Sequence, residues 1–181
     1  MIRNKQFKGH AGFAMMEVLM TILVLAIGAL GLANLQLSAM KFNKVASSRS
    51  QASLLADELS DRMRANMKGV KNGLYSMNNG YTAAVTALAA LAAPNCGTAS
   101  TAECSYTDMA TLDLVTWNKG LIASLPGGTG AIVPVAGNTF TYNIVIMWQD
   151  KILAAATTNT DPTCPGTAVV GVRCLTVPYM P

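Results

Sequence analysis

An α+β fold, with a long N-terminal α-helix packed on a small antiparallel β-sheet domain, is predicted by three observations. The chain opens on a long apolar stretch and has no proline before Pro94. Beyond that stretch Val45, Ala52, Leu55, Ala56, Leu59, Met63 and Met67 recur at helical spacing. Near the C-terminus Phe140, Tyr142, Ile144, Ile146 and Trp148 alternate with Thr141, Asn143, Val145 and Met147, the period of a strand.

The elements follow in order. Residues 18–33 read VLMTILVLAIGALGLA, and no charge occurs from Val18 to Met40. A membrane span needs about 20 mostly apolar residues. A helix is therefore expected over residues 13–68, with 13–40 as its membrane half. Its apolar stripe packs on the domain's own sheet. Glu58 and Arg62 form an i,i+4 pair on another face. Gly69 is the expected C′ residue, with a turn at Asn72-Gly73. Residues 82–93 are alanine-dense and end at Pro94, a short helix and no second span. Thr107 or Asp108 is expected to cap the next helix, with Ala110, Leu114, Trp117, Leu121 and Leu125 inward and Leu125-Pro126-Gly127-Gly128 as its stop. Strands are expected at Ile132-Val133, residues 139–148 and residues 169–177, with a turn at Ala136-Gly137-Asn138 between the first two.

Composition narrows function. Charged residues make up 12% of the chain, about half the share of an ordinary soluble domain. Formal charge is +4, but Arg3, Lys5 and Lys8 lie in the first twelve residues, which hold no acid. The remainder is nearly neutral, so the basic pI describes a short leader and no nucleic-acid binding is expected. The single histidine, His10, is in that leader. Without it the Ser-His-Asp and Cys-His constellations have no imidazole base. Acids beyond residue 69 are scattered (Glu103, Asp108, Asp113, Asp150 and Asp161) and form no motif. The expectation is a protein that is not an enzyme and carries no cofactor and no metal.

A secretory signal would have a shorter apolar core and a cleavage site after it; a lipoprotein signal needs a cysteine, and the first is Cys96. A retained anchor fits better. Cations on its two sides balance, Arg3, Lys5 and Lys8 against Lys41, Lys44 and Arg49. The cysteines orient it: Cys96, Cys104, Cys164 and Cys174 all follow the span, and disulfides belong outside the cytoplasm. Four cysteines allow three pairings. Sequential pairing closes two short loops and is the expectation, with crossed links and a zinc site as the alternatives. Zinc is disfavoured by the lack of a CxxC spacing and of histidine after the leader.

Glu17 sits at the start of the apolar run. A carboxylate there has a plain reading as an interfacial residue near a helix N-terminus. Its context argues otherwise. The acid-free leader ends in Gly12, and the run GFAMMEVLMTILVLAIGALGLANLQ (12–36) resembles the class III signal of type IV prepilins and pseudopilins. The resemblance implies cleavage between Gly12 and Phe13 by the prepilin peptidase, N-methylation of Phe13, and an assembly contact from Glu17 to the N-terminal amine of a neighbouring subunit. Two opposite charges in low dielectric offset each other's desolvation only when they meet closely. Asn34 stands where many major pilins have proline.

The run LANLQLSAMKFNKVASSRSQASLLADELSDRMRANMKGVKNGLY (32–75) narrows the resemblance to PilV-type minor pilins, the type IV pilus modification family. DLVTWNKGLIASLPGGTG (113–130) and YNIVIMWQD (142–150) resemble the later part of the same family. Arg62 and Arg64 match its DRMRAN signature, and a structural role is expected for them. The resemblance implies a type IV pilin-like fold with a cleaved leader at 1–12, a helix at 13–68 and a periplasmic α+β domain at 69–181. It implies a minor pilin for pilus assembly or initiation, supporting adhesion or motility. Implied partners are the prepilin peptidase, other minor and major pilins and the inner-membrane pilus assembly platform. The implied localisation is single-pass in the inner membrane with a cytoplasmic N-terminus, then the pilus. A type II secretion pseudopilin shares the leader; a membrane-anchored periplasmic enzyme or binding module is the alternative of a different class.

Overall fold

The helices precede the strands, in the order α1 (Ala11–Ala65), α2 (Met67–Lys71), α3 (Tyr81–Ala89), α4 (Tyr106–Ser124), β1 (Thr129–Pro134), β2 (Tyr142–Gln149) and β3 (Val172–Tyr179). A computed structural model describes residues 11–77, 80–96, 103–137, 140–150, 160–166 and 169–181. The chain divides into two compact units, Met1–Lys44 and Val45–Pro181. In the first, α1 is one helix long and apolar enough, by length and composition, to cross a membrane. In the second, the end of α1, the shorter helices and the sheet form an α+β domain consistent with the type IV pilin fold.

The sheet is an antiparallel meander in the order β1-β2-β3. Ile132 faces Ile144 across the first pair, and Ile146 faces Leu175 across the second. Period-two alternation in β2 is real, but both of its faces are buried. Ile144, Ile146 and Trp148 join Leu55, Leu59, Met63, Trp117 and Leu121 in the main core. Val145 and Met147 point the other way into a smaller core with Ala84, Ala131 and Val172. Helix α3 supplies Ala84 to that second layer, which is why its sequence is alanine-dense: small side chains let it lie close to the sheet. Phe140, expected on the strand, lies before its start and is 38% exposed.

On α1 the stripe Ala52, Leu55, Ala56, Leu59 and Met63 is buried. Burying a Leu or Met side chain contributes about 1.5–3 kcal/mol, so this face alone suffices to hold the helix. The helix does not run to Lys68. It stops at Ala65, and Asn66 caps the separate helix α2, accepting from the Gly69 N–H through its side chain. The expected C′ glycine shifts as well. Gly73, at φ 70°, ends α2: its N–H bonds to the Val70 carbonyl, and the Leu74 N–H to the Gly69 carbonyl. That pair of bonds is a Schellman closure, which needs a left-handed residue. Ser105, not Thr107 or Asp108, caps α4. Its side chain accepts from the Asp108 N–H while Asp108 reaches back, a capping box.

Trp117 ties α4 to both neighbours. Its indole N–H donates to the Leu55 carbonyl of α1 at 3.0 Å, and its ring lies against Gly130 of β1, where a Cβ would collide with it. Gly130→Ala is therefore expected to overpack this layer and lower stability by about 1–3 kcal/mol, measured by denaturant unfolding. A variant as stable as the native protein would show that the ring moves aside freely.

Candidate functional site

The segment expected from the sequence to mediate assembly lies on α1. Residues 1–10 of the expected leader 1–12 lie outside the described residues; Gly12 and Phe13 fall in the first turn of α1. Glu17 follows Phe13 by one helical turn and is exposed. It is the only charged residue from Phe13 to Met40. Large apolar side chains from Met15 to Phe42 are 54–74% exposed and occur on all sides of the helix. An apolar surface of this extent calls for lipid or other protein around it.

Where α1 joins the domain, a buried polar network replaces the apolar stripe. The Tyr75 hydroxyl donates to Asp113 Oδ2 at 2.5 Å and accepts from Asn66 Nδ2 at 3.1 Å. Asn66 Nδ2 also donates to the Tyr106 carbonyl at 2.8 Å. Arg62 lies 2.7 Å from Glu58 and 3.6 Å from Asp113. The hydrogen bond to Glu58, with both nearby carboxylates, holds the guanidinium above its ordinary pKa despite partial burial. Burial, then the bond to Asp113, pushes the Tyr75 phenol well up. The phenol therefore stays protonated and acts as a donor. Arg64 pairs with Asp61 in solvent and stands over the Tyr179 ring at 5.8 Å. The two arginines of one short motif thus differ: Arg62 joins helices, whereas Arg64 stays on the surface. Asp113, Tyr75 and Asn66 were not singled out as site residues in the sequence, because their meeting requires α4 to fold back along α1.

Cys96 is bonded to Cys104, and Cys164 to Cys174, each with Cα atoms 5.2 Å apart. The second bond holds the loop at 160–166 against the outer edge of β3. There Asp161 Oδ2 accepts the Cys174 N–H at 3.2 Å, while Asp161 Oδ1 accepts from the Thr163 backbone N–H and hydroxyl. The Val172 N–H is taken by the Val169 carbonyl, and Pro178 has none to offer. Three of the four positions facing away from β2 are thereby closed to strand addition. Asp150 of the opposite strand end meets Arg173 at 2.7 Å. Among the described residues no group of three or more His, Cys, Asp and Glu is placed to hold a metal ion.

Partial burial raises the Asp161 pKa, but its hydrogen bonds from Thr163 and Cys174, with Arg173 nearby, outweigh that and leave it below its ordinary value. A carboxylate lowered on folding stabilises above its unfolded pKa, and this contribution is lost as pH falls through the folded value. Asp161→Asn is expected to be less stable than the native protein at neutral pH, with the two converging in acid below the usual carboxylate range. Parallel unfolding curves across that pH window would contradict this.

No curated protein and no solved structure matches the chain. Residues 34–115 match the Tt1218-like family model, described as type IV pilin Tt1218. That segment carries the end of α1, the Asn66 break, Tyr75 and the first half of α4. With the long apolar helix and the three-stranded sheet, the match makes the chain similar to type IV pilins over somewhat less than half of its length.

Proposed function

We propose that the chain is a PilV-type minor pilin that enters type IV pili or their initiation complex. The observation that carries this reading is the N-terminal half of α1, apolar and exposed on every side, with Glu17 as its single charge. A bilayer accommodates such a helix before assembly, and the helices of neighbouring pilins can replace the lipid afterwards. Transfer between two apolar environments leaves the hydrophobic term nearly unchanged. A specific polar contact then decides the packing, and Glu17 supplies the one charged side chain between Phe13 and Met40 for it.

In this proposal the prepilin peptidase cleaves between Gly12 and Phe13 on the cytoplasmic side, and Phe13 is N-methylated. Glu17 meets the N-terminal amine of the adjacent subunit. The domain stands in the periplasm, where the Cys96–Cys104 and Cys164–Cys174 bonds are stable. Other minor and major pilins and the inner-membrane assembly platform are its partners, and adhesion or motility depends on the pili it helps to form.

Gly12→Val should leave an unprocessed membrane protein of higher mass, because a side chain before the scissile bond meets the peptidase. Normal cleavage, read from the intact mass of the protein isolated from cells, would sink the leader assignment. Glu17→Val should be cleaved and remain in the membrane, yet be depleted from sheared pili and fail to complement a deletion. Full complementation would reduce Glu17 to a helix-end residue.

A further inference from the structure

The uncharged stretch of α1 ends in a pair of cations that the chain leaves without counter-ions. Lys41, Phe42 and Lys44 are exposed there, Phe42 to 74%. Among the described residues neither lysine forms an ion pair or a hydrogen bond. No acid occurs from Val18 to Ala56. The next one, Asp57, stands about 20 Å of helix beyond Lys44. Lys41 and Lys44 are three residues apart and share one side of the helix. Phe42, beside them, is the one aromatic residue between Phe13 and Tyr75.

Bilayer dimensions place this cluster. The uncharged run begins at Val18, and about 20 helical residues cross the hydrocarbon core, which ends it near Leu37. A tilt of about 20° moves that boundary by only a residue or two. Lys41 then lies about 6 Å past the hydrocarbon, inside a headgroup layer roughly 5–7 Å deep. Lys44 lies about 10 Å past it. Helical side chains lean toward the N-terminus, here toward the bilayer, so the long lysine stem carries its ammonium back into the layer. The same lean brings the Phe42 ring down to the acyl boundary. Arg49, at about 18 Å, stands clear of the headgroups.

We propose that Lys41, Phe42 and Lys44 form a collar that binds anionic phospholipid headgroups in the leaflet next to the domain. The collar rests on the membrane anchoring in the proposed function. Orientation does not account for these lysines: cations flanking a span are favoured on its cytoplasmic side, and Lys41 and Lys44 lie on the other. Charge complementarity does account for them. Two ammonium groups within one turn, with no acid of the chain in reach, attract the same anionic patch. Phosphate oxygens accept from the lysine N–H groups in charge-assisted hydrogen bonds, while Phe42 adds apolar contact below. These contacts are lost when the helix leaves the bilayer, so the collar holds the chain against extraction.

The full-length chain, isolated from membranes in detergent, is mixed with equal amounts of phosphatidylglycerol and phosphatidylcholine, and retained lipids are counted by native mass spectrometry. Phosphatidylglycerol should be retained several-fold over phosphatidylcholine, and the preference should weaken as salt rises. Lys41→Gln with Lys44→Gln should remove most of it, Lys41→Arg with Lys44→Arg should keep it, and Arg49→Gln should leave it unchanged. Equal retention of the two lipids, the result expected if an acidic protein surface covers the lysines instead, would overturn the collar. So would a preference that survives the double glutamine change, or one that Arg49→Gln removes as fully. Washing the membranes with alkaline carbonate separates the collar from the anchoring beneath it. A chain stripped by the wash defeats the anchor and the collar with it; a resistant chain without the lipid preference defeats the collar alone. An uncleaved mass in a chain that shows the preference defeats the leader assignment alone.

Discussion

The contact between the buried face of α1 and Trp117 is the constraint on which the rest of the domain depends. Leu55, Leu59 and Met63 bring a continuous apolar surface, but apolar surface by itself does not select a register. The indole N–H on the Leu55 carbonyl does, because a buried donor left without a partner costs about 1–3 kcal/mol. Once that bond places α4, Gly130 is the residue of β1 that admits the ring. The sheet is thereby positioned by a single side chain touching both neighbours.

Further along, the same two helices are joined by polar groups. Asn66 ends α1, caps α2 and bonds to Tyr75 and the Tyr106 carbonyl. One amide thus stands at the helix break and satisfies the Gly69 N–H, the Tyr75 hydroxyl and the Tyr106 carbonyl. Asp113 sits at the other end of this network, nearly buried, with Tyr75 donating to it and Arg62 beside it. Removing one member of such a network leaves the others desolvated and unpaired, which makes the arrangement specific as well as stabilising.

The two units of the chain answer to different solvents. In the unit that carries the domain, apolar side chains are collected on one face and into two cores, and three of the four outward positions of β3 are closed by the Val169 carbonyl, Asp161 and Pro178. In the N-terminal unit the large apolar side chains from Met15 to Phe42 are left exposed along the helix.

Much of this architecture was legible in the sequence because it is periodic or local. The uncharged run from Val18, the buried stripe from Ala52 to Met63, the alternation of β2 and the stop at Leu125-Pro126-Gly127-Gly128 each report their environment through neighbours a few residues away. Glu17 stands out for the same reason, as one charge in a long uncharged segment. Tertiary structure alone decided where α1 breaks, since Asn66 earns its place through Tyr75 and Tyr106, which are distant in sequence. It also decided that Val145 and Met147 are buried, because α3 brings Ala84 over the second face of β2, which alternation alone leaves without a partner. The different fates of Arg62 and Arg64 were settled by Asp113 arriving from α4. Periodicity records which side of an element is apolar; it carries no information about which distant group will meet that side.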